Sequence, residues 1–224
     1  MSLRLLFYIT THLSNTHVLF LQNCWYNTRQ PFSEFDIDFH FYITAERKID
    51  TRILVNFPHT STYVPNYGYG PGATSAMYNP STRKLFKQYD WVIRLNPDVI
   101  IYNASSIIEY MKDPYAYGIF GNCKTKTYKK FPYIRTYTDK CKTGCTKRII
   151  MTDFYAFRGW LNLSTTRINP HEISTEIDAT MLFHDTVARG HDRWILPYNK
   201  DGSCRIRKYG EIVHEHSIYR CMTQ

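Results

Sequence analysis

The stretch from Asp90 to Ile101, Asp-Trp-Val-Ile-Arg-Leu-Asn-Pro-Asp-Val-Ile-Ile, constrains this chain more than any other. Its apolar, largely β-branched residues read as a buried strand. The polar break Asn96-Pro97-Asp98 interrupts it, and apolar residues then resume. Pro97 has no N–H and holds Asn96 in extended geometry, so the strand must bend or end there. Asp98 is therefore expected at the carboxyl end of a central strand, the edge at which open α/β sheets bind ligands. A hard cation carrying a diphosphate takes one or two carboxylates at such a place, and the phosphates supply further oxygens. A single acid after a proline is also what a plain turn between two strands contains.

The flanking pattern alternates strands and helices. Leu3–Thr11 reads as a first strand, and Ser14 or Asn15 caps a helix running through His17, Phe20, Leu21, Cys24 and Trp25. Between Phe35 and Thr44 the apolar residues alternate with Asp36, Asp38, His40 and Tyr42, which predicts a second strand. Arg52–Phe57 is expected as a third. The glycine-rich Asn66–Gly72 leads into a helix near Ala73–Met77 that continues towards Phe86. Asn103, Ser106 and Glu109 open a helix to Lys112, with Asp113-Pro114 as its stop. Tyr117–Phe120, Arg148–Phe157 and Trp194–Pro197 are expected as strands, Glu176–Arg189 as a helix, and Ile212–Tyr219 encloses His214-Glu215-His216. This order predicts an α/β fold with a mostly parallel central sheet flanked by helices. The 224 residues fit one domain, with a regular half over 1–98 and an irregular, loop-built half over 99–224.

Charge is unevenly spread. Residues 124–148 hold nine basic residues and one acid, Asp139, a net of +8 out of +9 for the chain. A near-neutral domain carrying one basic insert points to an anionic partner or to a loop kept soluble by lysine. No run approaches the ~18 apolar residues of a membrane span, and the segment at the start reads as a strand, not a signal peptide. A cytoplasmic setting is expected, in which the sequons at Asn103 and Asn162 would be chance matches. Of six cysteines, Cys123, Cys141 and Cys145 lie in or beside the insert. They lack the usual C-x-x-C zinc knuckle, so a local disulfide or free thiols fit them better.

The segment from Tyr89 to Ile101 resembles the metal-binding strand end of GT-A fold glycosyltransferases. That family usually has Asp-x-Asp there, and some members have Glu-Pro-Asp; here the first position is Asn96. The order of other pieces is similar too. Thr10-Thr11-His12 stands where such enzymes hold the nucleotide base, and Gly70-Pro71-Gly72-Ala73 begins the helix that faces the ribose. Thr152-Asp153-Phe154-Tyr155-Ala156-Phe157-Arg158 resembles the acceptor-side strand. Glu176 resembles the acid that serves as base in inverting members. His214-x-His216 resembles the C-terminal histidine completing the metal site. As a whole the chain looks most like the small glycosyltransferases of large algal (chlorella-type) DNA viruses, which would place it in a host cytoplasm. The resemblance implies a single GT-A-like (Rossmann-like) domain, with 1–98 as the nucleotide-sugar-binding half and 99–224, including the insert, as the acceptor-side half.

The implied reaction moves a sugar from a nucleotide-diphosphate donor, a UDP-sugar by resemblance, to a glycan or glycoprotein acceptor. A Mn²⁺ or Mg²⁺ ion would neutralise charge on the leaving diphosphate. Asp98, His214 and His216 are the candidate metal ligands, and nitrogen ligands suit Mn²⁺ better than Mg²⁺. Thr10, Thr11, His12, Gly72, Arg94, Asn96 and Asp98 are the candidate donor-binding residues. Deprotonation of the acceptor hydroxyl falls to Glu176, with Asp153 second and Asp178 third. Each has an ordinary alternative: histidines pack, acids favour helix starts, and Arg94 can pair with an internal acid. The competing functions are a nucleic-acid-binding module built on the Lys- and Tyr-rich insert and a glycosyltransferase-like domain without activity. No nucleic-acid partner is expected on the main reading.

Overall fold

The computed structural model describes residues 2–46, 48–66, 69–120, 154–163, 194–195, 212–214 and 218–222. Among these residues seven strands form the main sheet: β1 (Arg4–Thr11), β2 (Asp36–Thr44), β3 (Thr60–Val64), β4 (Trp91–Leu95), β6 (Gly118–Phe120), β7 (Phe154–Arg158) and β8 (Trp194–Ile195), in the order β3-β2-β1-β4-β7-β6-β8. The four strands β3, β2, β1 and β4 run parallel. β7 runs antiparallel between β4 and β6, and β8 is parallel to β6. Two short strands, β5 (Val99–Ile101) and β9 (Ile212–His214), pair antiparallel in a second sheet. The helices are α1 (Asn15–Asn23), α2 (Trp25–Arg29), α3 (Tyr69–Tyr78), α4 (Pro80–Phe86), α5 (Ser105–Lys112) and α6 (Tyr219–Met222). This is the expected open, mostly parallel α/β sheet in one domain. No described helix is long and apolar enough to cross a membrane.

The period of two sorts the central strands onto two faces. Leu5, Phe7 and Ile9 of β1, Phe39, Phe41 and Ile43 of β2, and Trp91, Ile93 and Leu95 of β4 meet Phe20, Leu21 and Trp25 on one face. Leu6, Tyr8, Tyr42, Val92, Tyr155 and Phe157 meet Ala76, Met77 and Phe86 on the other. Both faces of β1 and β4 are therefore covered, which is why these strands read as near-continuous apolar runs.

Four expectations need correcting. The helix expected to run through Cys24 and Trp25 is two, α1 ending at Asn23 and α2 starting at Trp25, with Cys24 as the cap between them. Arg52–Phe57 is not a strand. Asp50 accepts the Arg52 N–H at 3.0 Å and starts a 3-10 turn over Thr51–Ile53, from which Leu54, Val55 and Phe57 pack on the core without strand pairing. The third strand is instead Thr60–Val64, a half-exposed edge strand whose β-favouring residues lack a clean apolar alternation. The helix expected to run from Ala73 towards Phe86 is two helices. Asn79 is the N-cap of α4, accepting from Ser81 N, and Pro80 takes the first position, where a missing N–H costs nothing. Finally, Ser106 lies inside α5 and is buried, so it is not the cap; the Asn103 carbonyl oxygen of the side chain accepts the Ser105 N–H at 2.8 Å one turn earlier.

Candidate active site

The carboxyl ends of β1 and β4 sit side by side, in register from Leu5↔Trp91 to Ile9↔Leu95. Beyond Leu95 the chain turns at once. Asn96 O accepts the Val99 N–H at 3.1 Å, closing a turn with Pro97 at its second position. The Trp25 indole N–H donates to Pro97 O at 2.9 Å from the core side and fixes the turn against α2. Asp98 is thereby held at the strand end, as the sequence predicts, with its side chain only 16% exposed.

Thr11 ends β1, and its hydroxyl organises the opposite wall. Thr11 Oγ1 accepts the Leu13 N–H at 2.9 Å and lies 2.9 Å from His17 Nδ1. The other ring nitrogen of His17, Nε2, faces Asp98 Oδ2 at 3.8 Å. His17 is in place because Ser14 Oγ caps α1 on the His17 N–H. His12 stacks obliquely on His17 with centroids 4.6 Å apart. Burial and the neighbouring His17 lower the His12 pKa, while Asp98 pulls it the other way. Leu13 between them has φ +56°, a left-handed conformation that costs a non-glycine residue of order 1 kcal/mol. Strain therefore sits in the loop bordering the edge.

On the sheet's other face Arg94 is 1% exposed. Its Nη2 donates to the Thr10 hydroxyl and, at 2.9 Å, to Asn96 Oδ1, and its guanidinium lies 5.6 Å from the Tyr155 ring centroid. Burial holds the Tyr155 phenol up at about 12, so that ring stays neutral. Asn96 therefore turns its amide oxygen inward to Arg94 and keeps its NH₂ as a donor. An amide set this way offers hydrogen bonds to anions and is a poor metal ligand. Gly72 of α3 completes the wall: a Cβ there would stand 3.1 Å from Thr44 Cγ2, and Thr44 Oγ1 bonds Thr11 O at 3.5 Å.

Six sequence candidates thus share one edge: Thr10, Thr11, His12, Arg94, Asn96 and Asp98, with Gly72 linked to it through Thr44. His214 is placed by its backbone alone, opposite Val99 in the β5–β9 pair, one residue from Asp98. Glu176, Asp153, Asp178, His216 and the insert 124–148 lie outside the described residues, as do Cys123, Cys141, Cys145 and Cys204. His17 is the residue at this edge that helical spacing hid among core positions; the signal was a ring with two polar nitrogens on a face otherwise made of Phe20, Leu21 and Trp25. Among the described residues no three His, Cys, Asp or Glu side chains gather as a metal site. The donor set fits a divalent cation in part, through one carboxylate at the right edge.

No protein-family model matches the chain, and no curated protein does. Solved structures do. Glucosyl-3-phosphoglycerate synthase from Mycobacterium tuberculosis, in complex with Mn²⁺, UDP-glucose and glycerol 3-phosphate, aligns with TM-score 0.52 and 12% identity over 87% of this chain and 69% of its own. An active-site mutant of the galactosyltransferase LgtC aligns over 98% and 99% at 9% identity, with TM-score 0.47, and mouse xyloside xylosyltransferase 1 over 88% and 85% at 9%, with 0.45. At these identities the likeness concerns the backbone: the chain has the fold of GT-A nucleotide-diphospho-sugar glycosyltransferases.

Proposed function

We propose that this protein is a metal-assisted glycosyltransferase that moves a sugar from a nucleoside-diphosphate donor, a UDP-sugar in the first instance, to a glycan or glycoprotein acceptor with inversion. The observation that carries the reading is the Asn96–Val99 turn, which presents Asp98 at the carboxyl end of β4 beside Thr10, Thr11, His12 and His17. The Mycobacterium synthase with the same fold was solved with Mn²⁺ and UDP-glucose, which supports that donor class.

In this reading Asp98 holds the divalent ion, with His214 or His216 as a nitrogen ligand. The ion supplies charge neutralisation to the departing diphosphate. The residues of the chain do the rest. The Asn96 NH₂ and the Arg94 charge beneath it favour phosphate oxygens at the strand end. Thr10, Thr11 and His12 give hydrogen bonds to base and ribose, and Gly72 lets α3 approach the sheet closely. His17 fixes the rotamer of Asp98 by standing against Oδ2. Glu176 takes the proton of the acceptor hydroxyl, with Asp153 as the second candidate. The donor-binding half is 1–98 and the acceptor half 99–224. The inward turn of Asn96 Oδ1 favours one other reading, a domain of the same fold that binds nucleotide sugars without turning them over.

Calorimetric titration of UDP and of GDP, each with and without Mn²⁺, tests the proposal on the wild type and on Asp98→Ala. The expected result is Mn²⁺-dependent binding of one nucleotide, lost at least tenfold in the variant while its Tm is kept. Absence of binding to both nucleotides with metal present would remove the donor site. Binding without sugar transfer or donor hydrolysis would select the non-catalytic reading.

A further inference from the structure

Cys24 and Cys221 are 197 residues apart in sequence, yet they form a disulfide with Cα atoms 5.5 Å apart. Both are buried, at 0% and 4% exposure, so they are held by the packing of the α1–α2 junction against α6. The side-chain amide of Asn27 adds a hydrogen bond to Cys221 O at 3.2 Å. A long-range buried disulfide of this kind forms and persists in oxidising compartments and is rare in a reducing cytosol. This bears directly on two sequons that a cytoplasmic setting would make meaningless, Asn103-Ala104-Ser105 and Asn162-Leu163-Ser164.

Their surroundings suit modification. Asn103 and Asn162 are both exposed, although each has buried neighbours: Ala104 after the first, Leu161 and Leu163 around the second. Asn103 Oδ1 accepts the N–H of Ser105 at 2.8 Å and its hydroxyl at 2.7 Å. Those bonds use the amide oxygen, so a substituent on Nδ2 leaves them intact. Neither site obstructs the candidate donor edge. Asn162 follows β7, whose Arg158 pairs with Trp91 at the amino end of β4, the end of the sheet opposite Asn96 and Asp98. It borders a shallow groove with Arg83, Lys84 and Lys87 of the α4 end. Asn103 lies past the far end of β5, beside an open groove of about 570 Å³ lined by Asn27, Gln30 and Tyr102, with none of the donor-edge residues in it.

We infer that the chain matures in an oxidising, glycosylating compartment, where Cys24 and Cys221 are joined and Asn103 and Asn162 carry N-linked glycans. The transfer forms a bond from the asparagine Nδ2 to the anomeric carbon of a lipid-diphosphate-linked oligosaccharide. The amide loses one proton and the lipid diphosphate leaves. Pairing of the thiols passes two electrons and two protons to the disulfide-exchange system of the same compartment. The inference is independent of the sugar-transfer proposal.

The test uses the full chain isolated from the cells that make it. Thiols are alkylated without reduction, and peptides are mapped by mass spectrometry before and after an amidase that releases N-glycans and leaves aspartate. The expected result is a Cys24–Cys221 linked peptide, together with an asparagine-to-aspartate mass change at positions 103 and 162. Asn103→Gln and Asn162→Gln, expressed in the same cells, should each lose one glycan's worth of gel mobility shift. Unmodified Asn103 and Asn162 peptides would overturn the glycan assignment whatever the state of the thiols. Alkylated Cys24 and Cys221 would overturn the compartment.

Discussion

Arg94 carries a full charge at 1% exposure, and its Nε and Nη1 have no hydrogen-bond partner among the described residues. Two bonds from one nitrogen, to Thr10 and Asn96, do not offset the desolvation of a guanidinium. A buried charge left this way is costly for the fold, and on the proposed function its use is to attract the phosphates of the donor. Arg94→Met, similar in volume and apolar, should therefore raise stability by about 1–2 kcal/mol in urea unfolding while weakening nucleotide binding. A loss of stability would instead make Arg94 a structural residue. His40 makes a second test at this scale. Its ring is 7% exposed, bonded to Thr60 Oγ1 at 2.7 Å and Thr62 Oγ1 at 3.0 Å, and stacked on Tyr8. Burial lowers its pKa to about 4. The unfolded ring, near 6.5, binds the proton first, so the His40 contribution is complete above about pH 6.5 and is lost as pH falls towards 4. The whole effect is about 3 kcal/mol. Unfolding free energies measured at pH 7 and pH 4.5 should converge by more than 1 kcal/mol in His40→Gln relative to the wild type.

Elements were legible where one force dominated. β1, β2 and β4 are covered on both faces or on one clean face, and burial wrote their period into the sequence: Phe35, Ile37, Phe39, Phe41 and Ile43 all pack on one core. The edge strand β3 escaped because only hydrogen bonding to β2 defines it, and an apolar period does not register that. The Pro80 break was in plain view, with Asn79 as its cap, but helical spacing continues through Phe86 and masked it. At the site, Asp98 was legible because proline fixes the turn, whereas the inward set of Asn96 depends on Arg94 two residues earlier and on Thr10 from another strand. Packing between elements makes a further prediction. Gly159 follows β7 and crosses α4's end, where a Cβ would stand 2.2 Å from Phe86 O and 2.3 Å from Tyr89 O. Backbone oxygens cannot swing away, so Gly159→Ala should cost about 2–3 kcal/mol by displacing β7 from α4. Gly72→Ala meets only the Thr44 side chain at 3.1 Å and should cost less than half as much. Equal losses in thermal unfolding would contradict this ranking.

Across the whole molecule the Cys24–Cys221 bond ties the α1–α2 junction to α6. α2 grips the Asn96–Val99 turn through Trp25 and Pro97 O, and the carbonyl of Cys221 through Asn27. Seven residues before Cys221, His214 pairs with Val99, the neighbour of Asp98. The bond therefore does two things. It removes a large part of the unfolded chain's freedom, which for a loop this long is worth about 3–5 kcal/mol. It also anchors β9, whose three-residue pairing with β5 would be marginal without a second attachment. The double variant Cys24→Ser and Cys221→Ser should consequently show two separable losses. Global stability falls by those few kcal/mol, and in a buffer where the variant is still folded, Mn²⁺-dependent nucleotide affinity falls several-fold because β9 detaches more often. Amide exchange separates the cases: protection should drop at 212–214 and 99–101 while β1 and β4 stay protected. If exchange instead rises evenly over the main sheet, the bond is a stabiliser only. If binding is unchanged while 212–214 exchanges freely, β9 takes no part in nucleotide binding, and the proposed role of His214 as a metal ligand falls.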